Sequence, residues 1–172
     1  ACVAGVFSAD IAVKIVQKRA QLMQNAVPAG EGAMAAVLGL EDHVVEEICK
    51  TLQSTGVIEP VNFNSPGQVV VAGEKKLIEQ SLEKFKDSGA KRALLLPVSV
   101  PSHCSLMRSA AKDFESYLND FEFNDADIPV VQNVNAIDVI DKKLIKENLV
   151  AQLFNPVKWT SSIQYLENNI LI

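Results

Sequence analysis

The sequence is short of the residues on which many kinds of site depend. It has three cysteines in 172 residues (Cys2, Cys49 and Cys104), too few and odd in number for a disulfide framework. No His/Cys/carboxylate spacing matches a metal site, so no metal is expected, and this cysteine usage fits a reducing, cytoplasmic compartment. There is no excess of positive charge: 16 Lys and Arg stand against 21 Asp and Glu, for a net charge of −5 and a pI near 5.1. That balance lacks the basic footprint of a nucleic-acid binder. No apolar run reaches the roughly 20 residues that cross a bilayer. The opening ACVAGVFSADIAVKIV has no basic segment before a short apolar stretch, which argues against a signal peptide. Walker and G-x-G-x-x-G phosphate loops are absent, and so is a G-x-S-x-G nucleophile elbow. The chain opens inside one apolar stretch and stops as another begins, so an internal piece of a longer protein is expected.

What is present is ordinary for a soluble globular domain: 48% apolar and 22% charged residues, long enough for a core. Ser8-Ala9-Asp10 can cap a helix whose Ile11, Ile15, Val16, Ala20, Leu22 and Met23 form a stripe, ending near Pro28-Ala29-Gly30. Gly32 to Gly39 is an apolar run between glycines and predicts a buried strand. Glu41 to Thr55 reads as a helix with Val44, Val45, Ile48 and Leu52 on one face, stopped by Gly56. Val57 to Phe63 and Gln68 to Ala72 flank the turn Ser65-Pro66-Gly67 and predict a hairpin. Pro60 places the first of these strands at an edge or a bulge. Glu74 to Ser88 predicts a helix with Leu77, Ile78, Leu82 and Phe85 inward, and Lys91 to Val100 another strand.

The order from Gly32 to Val100 is therefore β-α-β-β-α-β, the split βαβ or ferredoxin-like arrangement. Beyond it, helices are predicted over 105–118, 142–153 and 157–166, a strand over Val130 to Val134, and a polar loop over Phe121 to Pro129. A last strand begins at Ile170 to Ile172. The expected class is α/β, with a ferredoxin-like subdomain at 32–100 inserted in a partial larger domain formed by 1–31 and 101–172.

One stretch stands out chemically: Pro97-Val98-Ser99-Val100-Pro101-Ser102-His103-Cys104-Ser105. A histidine between a strand and a helix sits where loops commonly place catalytic side chains. A neutral imidazole there can take a proton from a nucleophile and return it to a leaving group. The plainer reading is a helix-capping loop whose histidine is merely hydrogen-bonded. Arg19 can fork onto a carboxylate through two parallel hydrogen bonds, or be a solvated charge on an exposed helix face. Asn62, Asn64 and Gln68 surround the hairpin turn, where amides bind ligands or satisfy turn backbone. His43 fits an exposed position in a first helical turn. Cys104 is beside His103, but adjacent residues rarely aim their side chains at each other.

The stretches KRAQLMQ (18–24), GAMAAVLGL (32–40), VNFNSPGQVVVAG (61–73), KRALLLPVSVPSHCSLM (91–107) and FNPVKWTSSIQYL (154–166) resemble the malonyl-CoA:acyl-carrier-protein transacylase family of bacterial type II fatty acid synthesis. The matches run in family order over nearly the whole chain. The resemblance implies an α/β-hydrolase-like acyltransferase domain with an inserted ferredoxin-like subdomain. It implies a ping-pong transfer of malonyl from malonyl-CoA, through a serine, to the phosphopantetheine thiol of acyl carrier protein, without metal or prosthetic group. Carried onto this sequence, it makes His103 the general base and acid and Arg19 the partner of the free malonyl carboxylate. Met23 would line the same pocket, and Asn64 would be a substrate contact where the small subdomain meets the cleft. It also implies a monomer. The family's G-H-S-x-G segment, an early glutamine-containing loop and a late glycine-rich segment have no counterpart in these 172 residues, so the piece alone is expected to be inactive. Two alternatives remain. One is a non-catalytic module that docks acidic acyl carrier protein on Lys75, Lys76, Lys84, Lys86, Lys91 and Arg92, residues that otherwise form a solvated face. The other is a relative with another acyl group, since Ser102 stands where family members vary.

Overall fold

The computed structural model describes residues 1–98 and 100–169. Its first helix, α1 (Ala9–Asn25), starts where the sequence provides a cap: Ser8 is extended and its hydroxyl accepts from Ile11 N at 3.4 Å. Ile15 and Met23 are buried and Ile11 and Leu22 partly so, but Val16 is 64% exposed and Ala20 is exposed as well. The apolar stripe is thus narrower than its spacing suggests, and Val16 lies outside it.

The next stretch has the order β1 (Gly32–Leu38), α2 (Asp42–Leu52), β2 (Ile58–Ser65), β3 (Gln68–Glu74), α3 (Lys75–Asp87) and β4 (Arg92–Leu95). The four strands form one sheet in the order β2-β3-β1-β4, and every pairing is antiparallel. Pro60 stands on the edge strand β2, where the register shifts between Pro60 and Asn62; the missing N–H costs least at such a place. Alternation then divides the sheet into two faces. Ala33, Ala35, Val37, Ile58, Val69 and Val71 pack under α2 and α3 against Val45, Cys49, Ile78 and Phe85. Met34, Val61, Val70 and Ala72 face the other way, toward Cys104. Each large side chain buried this fully contributes about 1.5–3 kcal/mol.

The rest of the chain builds a second core. Phe114 and Leu118 of α4 (Arg108–Leu118) and Ile145 of α5 (Lys142–Ala151) are fully buried with Val6, Met107 and Leu153, alongside Met23 of α1. α6 (Trp159–Asn169) packs on β2. It starts two residues later than the pattern predicts, because Val157 is taken by pairing with β2: Phe63 N donates to Val157 O and Val157 N to Val61 O.

Two further expectations change, both over strands. The strand predicted over Lys91 to Val100 is only Arg92–Leu95. Its pairing with β1 ends at Ala35, although β1 itself continues to Gly32, and the chain turns away after Leu96 donates to Met34 O. The strand predicted over Val130 to Val134 is the two-residue β5 (Val130–Val131), paired with an unpredicted β6 (Asp138–Val139). The segment Phe121 to Pro129 has no regular structure, but it anchors the second core through Phe123 and Ala126, with Phe123 edge-on to Phe7. The strand expected at Ile170 to Ile172 lies outside the described residues.

Candidate active site

The histidine segment leaves the sheet at Leu96 and returns to regular structure at the 3-10 turn Ser105–Met107, which runs directly into α4. Between them, His103 has a φ of +67°. This left-handed region is uncommon for residues with a Cβ, and histidine is among the side chains that tolerate it best. The conformation is held by the C-terminal end of α5. The carbonyls where a helix ends lack intrahelical partners, and His103 satisfies those of the C-cap Gln152 and of Leu153 just beyond it. Its backbone N donates to Leu153 O at 3.0 Å, and its ring Nδ1 lies 2.6 Å from Gln152 O. A carbonyl oxygen only accepts, so Nδ1 carries the hydrogen. The neutral ring therefore keeps its lone pair on Nε2, the nitrogen a base would use.

Three influences set the charge of this half-buried ring. Burial lowers its pKa below the ordinary histidine value and is the largest of them. The Gln152 carbonyl raises it, and the positive charge of Arg19 lowers it again. The balance favours the neutral form at pH 7.

Arg19 projects from the middle of α1. It is half-buried, and burial lowers its own pKa from a very high ordinary value, so it remains a cation. Among the described residues it forms no ion pair; the two pairs present are Lys75–Glu79 and Lys143–Glu147, both on exposed helix faces. A desolvated guanidinium without a carboxylate partner is poised to take an anion. One helical turn on, Met23 is 6% exposed and belongs to the apolar cluster that contains Met107 and Leu153. The fold therefore gathers Arg19, Met23 and His103 from α1 and the β4–α4 segment. Asn64 is half-buried on β2, and no hydrogen bond among the described residues ties it to His103 or Arg19.

Cys104 does not compete as a nucleophile. It is fully buried, its Sγ donates to Pro101 O at 3.1 Å, and burial pushes its thiol up to about 12. His43 is exposed in the first turn of α2. A surface depression of about 500 Å³ lies elsewhere, lined by Asp42, Phe63, Gly67, Lys158 and Thr160 among others; neither His103 nor Arg19 borders it. No group of three or more His, Cys, Asp or Glu among the described residues is placed to hold a metal. No helix among them is long and apolar enough to cross a membrane.

Two contributors have no signal in the sequence. Gln152 acts through a backbone carbonyl, which any residue carries. Glu59 accepts from both the backbone N and the hydroxyl of Ser105, 46 residues away, so no local spacing reports it.

The family model described as "Acyl transferase domain" matches residues 1–170. The chain belongs to the acyl transferase domain family. It is 54% identical over 164 residues to the malonyl CoA-acyl carrier protein transacylase of Staphylococcus aureus strain MRSA252, covering 95% of this chain and 53% of that protein. A solved acyl carrier protein S-malonyltransferase of Vibrio cholerae O1 superposes with a TM-score of 0.94 at 48% identity, over 96% of this chain and 54% of that one. A malonyl-transacylase solved in complex with its type II PKS acyl-carrier protein superposes equally well (TM-score 0.94, 44% identity), over 97% of this chain and 54% of that one. This acyl transferase chain thus spans about half the length of the relatives it matches, and its α/β elements are those of malonyltransferase structures.

Proposed function

We propose that this chain is the histidine-bearing half of an enzyme that transfers malonyl from malonyl-CoA to the phosphopantetheine thiol of acyl carrier protein. The observation that carries the reading is the pairing of a neutral His103, with Nδ1–H held by Gln152 O, with a desolvated Arg19 that has no carboxylate partner among the described residues. In this scheme a serine hydroxyl attacks the malonyl thioester while His103 Nε2 takes its proton. His103 then returns that proton to the departing CoA thiolate, leaving a malonyl ester on the serine. The carrier thiol gives its proton to Nε2 and attacks the ester, and the proton goes back to the serine oxygen. Arg19 holds the free malonyl carboxylate through two parallel hydrogen bonds, and Met23 supplies an apolar wall beside it. Asn64 contributes a weaker contact from β2. The G-x-S-x-G pentapeptide is not among these 172 residues, so no residue here is assigned as the nucleophile and the chain by itself does not turn over. The scheme requires no metal or prosthetic group.

The architecture is read in the same way. Residues 32–100 form a ferredoxin-like subdomain inserted between 1–31 and 101–172, which belong to a larger α/β-hydrolase-like part. The antiparallel order β2-β3-β1-β4 with α2 and α3 on one face supports this. Lys75, Lys76, Lys84, Lys86, Lys91 and Arg92 are all exposed and offer an acidic carrier protein a basic approach.

The test is a mass measurement on acyl carrier protein incubated with malonyl-CoA and a polypeptide of the relatives' length that contains this chain. A malonyl-sized gain on the carrier, absent with His103→Ala, is expected. No gain with the unsubstituted polypeptide overturns the proposal.

A further inference from the structure

Glu59 stands on the edge strand β2, and both of its carboxylate oxygens are spent on one residue of a different element. Oε1 accepts from Ser105 Oγ at 2.5 Å and Oε2 from Ser105 N at 3.1 Å. Ser105 opens the 3-10 turn that continues into α4, and the residue before it, Cys104, provides no side-chain cap. The first N–H groups of a helix lack partners and carry partial positive charge, so a carboxylate satisfies them well. Glu59 does from the sheet what a local Ser, Thr or Asp would do from the chain. It forms no ion pair among the described residues that would draw it elsewhere.

The consequence falls on His103, two residues upstream at positive φ. On its near side, His103 is held by the end of α5 through Leu153 O and Gln152 O. On its far side, Cys104 is sealed against Met34, Val61, Val70 and Ala72, and then Ser105 is clamped. A left-handed residue costs about 1–2 kcal/mol and persists only where its surroundings impose it. With the clamp released, the Cys104–Ser105 backbone can relax into an ordinary helix start and swing the imidazole off Gln152 O.

We infer that Glu59 is a positioning residue: by clamping Ser105 it fixes the backbone that aims His103 Nε2 at the reacting atoms. The inference rests on the reading of His103 as the base. It adds that the small sheet is a mechanical part of the active centre rather than only a wall of it.

Two readouts test it in the full-length enzyme: kcat/KM for malonyl transfer, and the NMR titration of the His103 ring carbon and its proton. Glu59→Ala is expected to lower kcat/KM about three- to thirtyfold with KM for malonyl-CoA little changed, as a small misplacement of a reacting group does. It should also move the His103 titration up toward the ordinary histidine value as the ring gains water. Glu59→Gln still offers an oxygen to Ser105 N and should restore most of both. Ser105→Ala should lie between the two, and the double variant Glu59→Ala/Ser105→Ala should be no worse than Glu59→Ala alone. A Glu59→Ala enzyme that melts earlier but keeps its kcat/KM and its His103 titration overturns the inference. Should Glu59→Ala not fold, Ser105→Ala carries the test by the same two readouts, and an unmoved titration overturns it. An unsubstituted enzyme that transfers no malonyl would overturn the functional reading instead, because the titration reports the clamp without any turnover.

Discussion

His103 Nδ1 donates to the carbonyl oxygen of Gln152 across 2.6 Å and 49 residues of sequence. This bond chooses the tautomer, and burial together with Arg19 keeps the ring neutral against the pull of the same carbonyl. A pH dependence follows. The acidic limb of kcat/KM should fall below the ordinary histidine pKa of about 6.5. Replacing Arg19 with Met removes a cation that depresses the ring, so the limb should shift upward. Stability carries the same sign. A histidine with a lowered folded pKa binds fewer protons when folded than when unfolded. Its contribution is therefore complete above about pH 6.5 and is lost as the pH falls through the folded pKa. Chemical denaturation between pH 5 and 8 should show a stability decline on the acid side that His103→Gln reduces. A flat comparison would contradict the assignment.

Arg19 should decide between acyl groups more than it decides rate. A charged hydrogen-bonded contact contributes about 1.5–3 kcal/mol, or roughly 10- to 100-fold in kcat/KM. Arg19→Ala should lose about that much toward malonyl-CoA while acetyl-CoA, whose acyl group has no free carboxylate, is unaffected or improved. Arg19→Lys should recover little, because a single ammonium lacks the planar fork. Competition of the two thioesters for one carrier pool measures the ratio directly, and unchanged malonyl preference in Arg19→Ala would remove the carboxylate role.

The sheet-and-helix unit was legible because its signals are local: Gly56 after a helical run, Ser65-Pro66-Gly67 between two apolar runs, and Pro60 at an edge that has a bulge. His103 was legible as a histidine in a strand-to-helix segment. What sets its chemistry was not. Gln152 acts through its backbone and Glu59 through a contact 46 residues away, and neither leaves a mark in local spacing. Strand lengths failed where tertiary pairing ends a run early. β4 stops at Leu95 although KRALLLPVSV continues to read as a strand, and β6 is too short for alternation to register. Val16 looks like a core residue by spacing yet is 64% exposed. Spacing identifies an apolar face but not what lies opposite it.

Gly73 tests how tightly the hairpin packs. A Cβ placed there would lie 1.9 Å from Val57 O, a backbone atom that cannot rotate away. Gly73→Ala should therefore push β2 from β3 and cost about 3 kcal/mol. Gly30 is the control. It has a φ of +86° but no described residue within 4 Å of its added Cβ, so Gly30→Ala should cost only the left-handed penalty of about 1–2 kcal/mol. Urea midpoints of the two variants should separate in that order, and equal losses would mean that the close approach is relaxed in solution.

Phe85 and Phe114 probe the two cores separately. Each is 0% exposed, Phe85 projecting from α3 into the core shared with α2 and the sheet, and Phe114 projecting from α4 into the core shared with α1 and α5. Truncation to Ala removes a large apolar volume that the surroundings refill only in part, at about 3–5 kcal/mol each. The location of the damage is more informative than its size. If the sheet unit is a subdomain with its own core, Phe85→Ala should speed amide exchange across β1, β3, α2 and α3 while α4 and α5 keep their protection, and Phe114→Ala should do the reverse. The segment Cys104 to Ser105 touches the back of the sheet and leads into α4. Its amides should therefore lose protection in both variants, because it depends on both cores. Uniform loss of protection throughout the chain in either variant would show a single cooperative core and remove the subdomain boundary at 32–100.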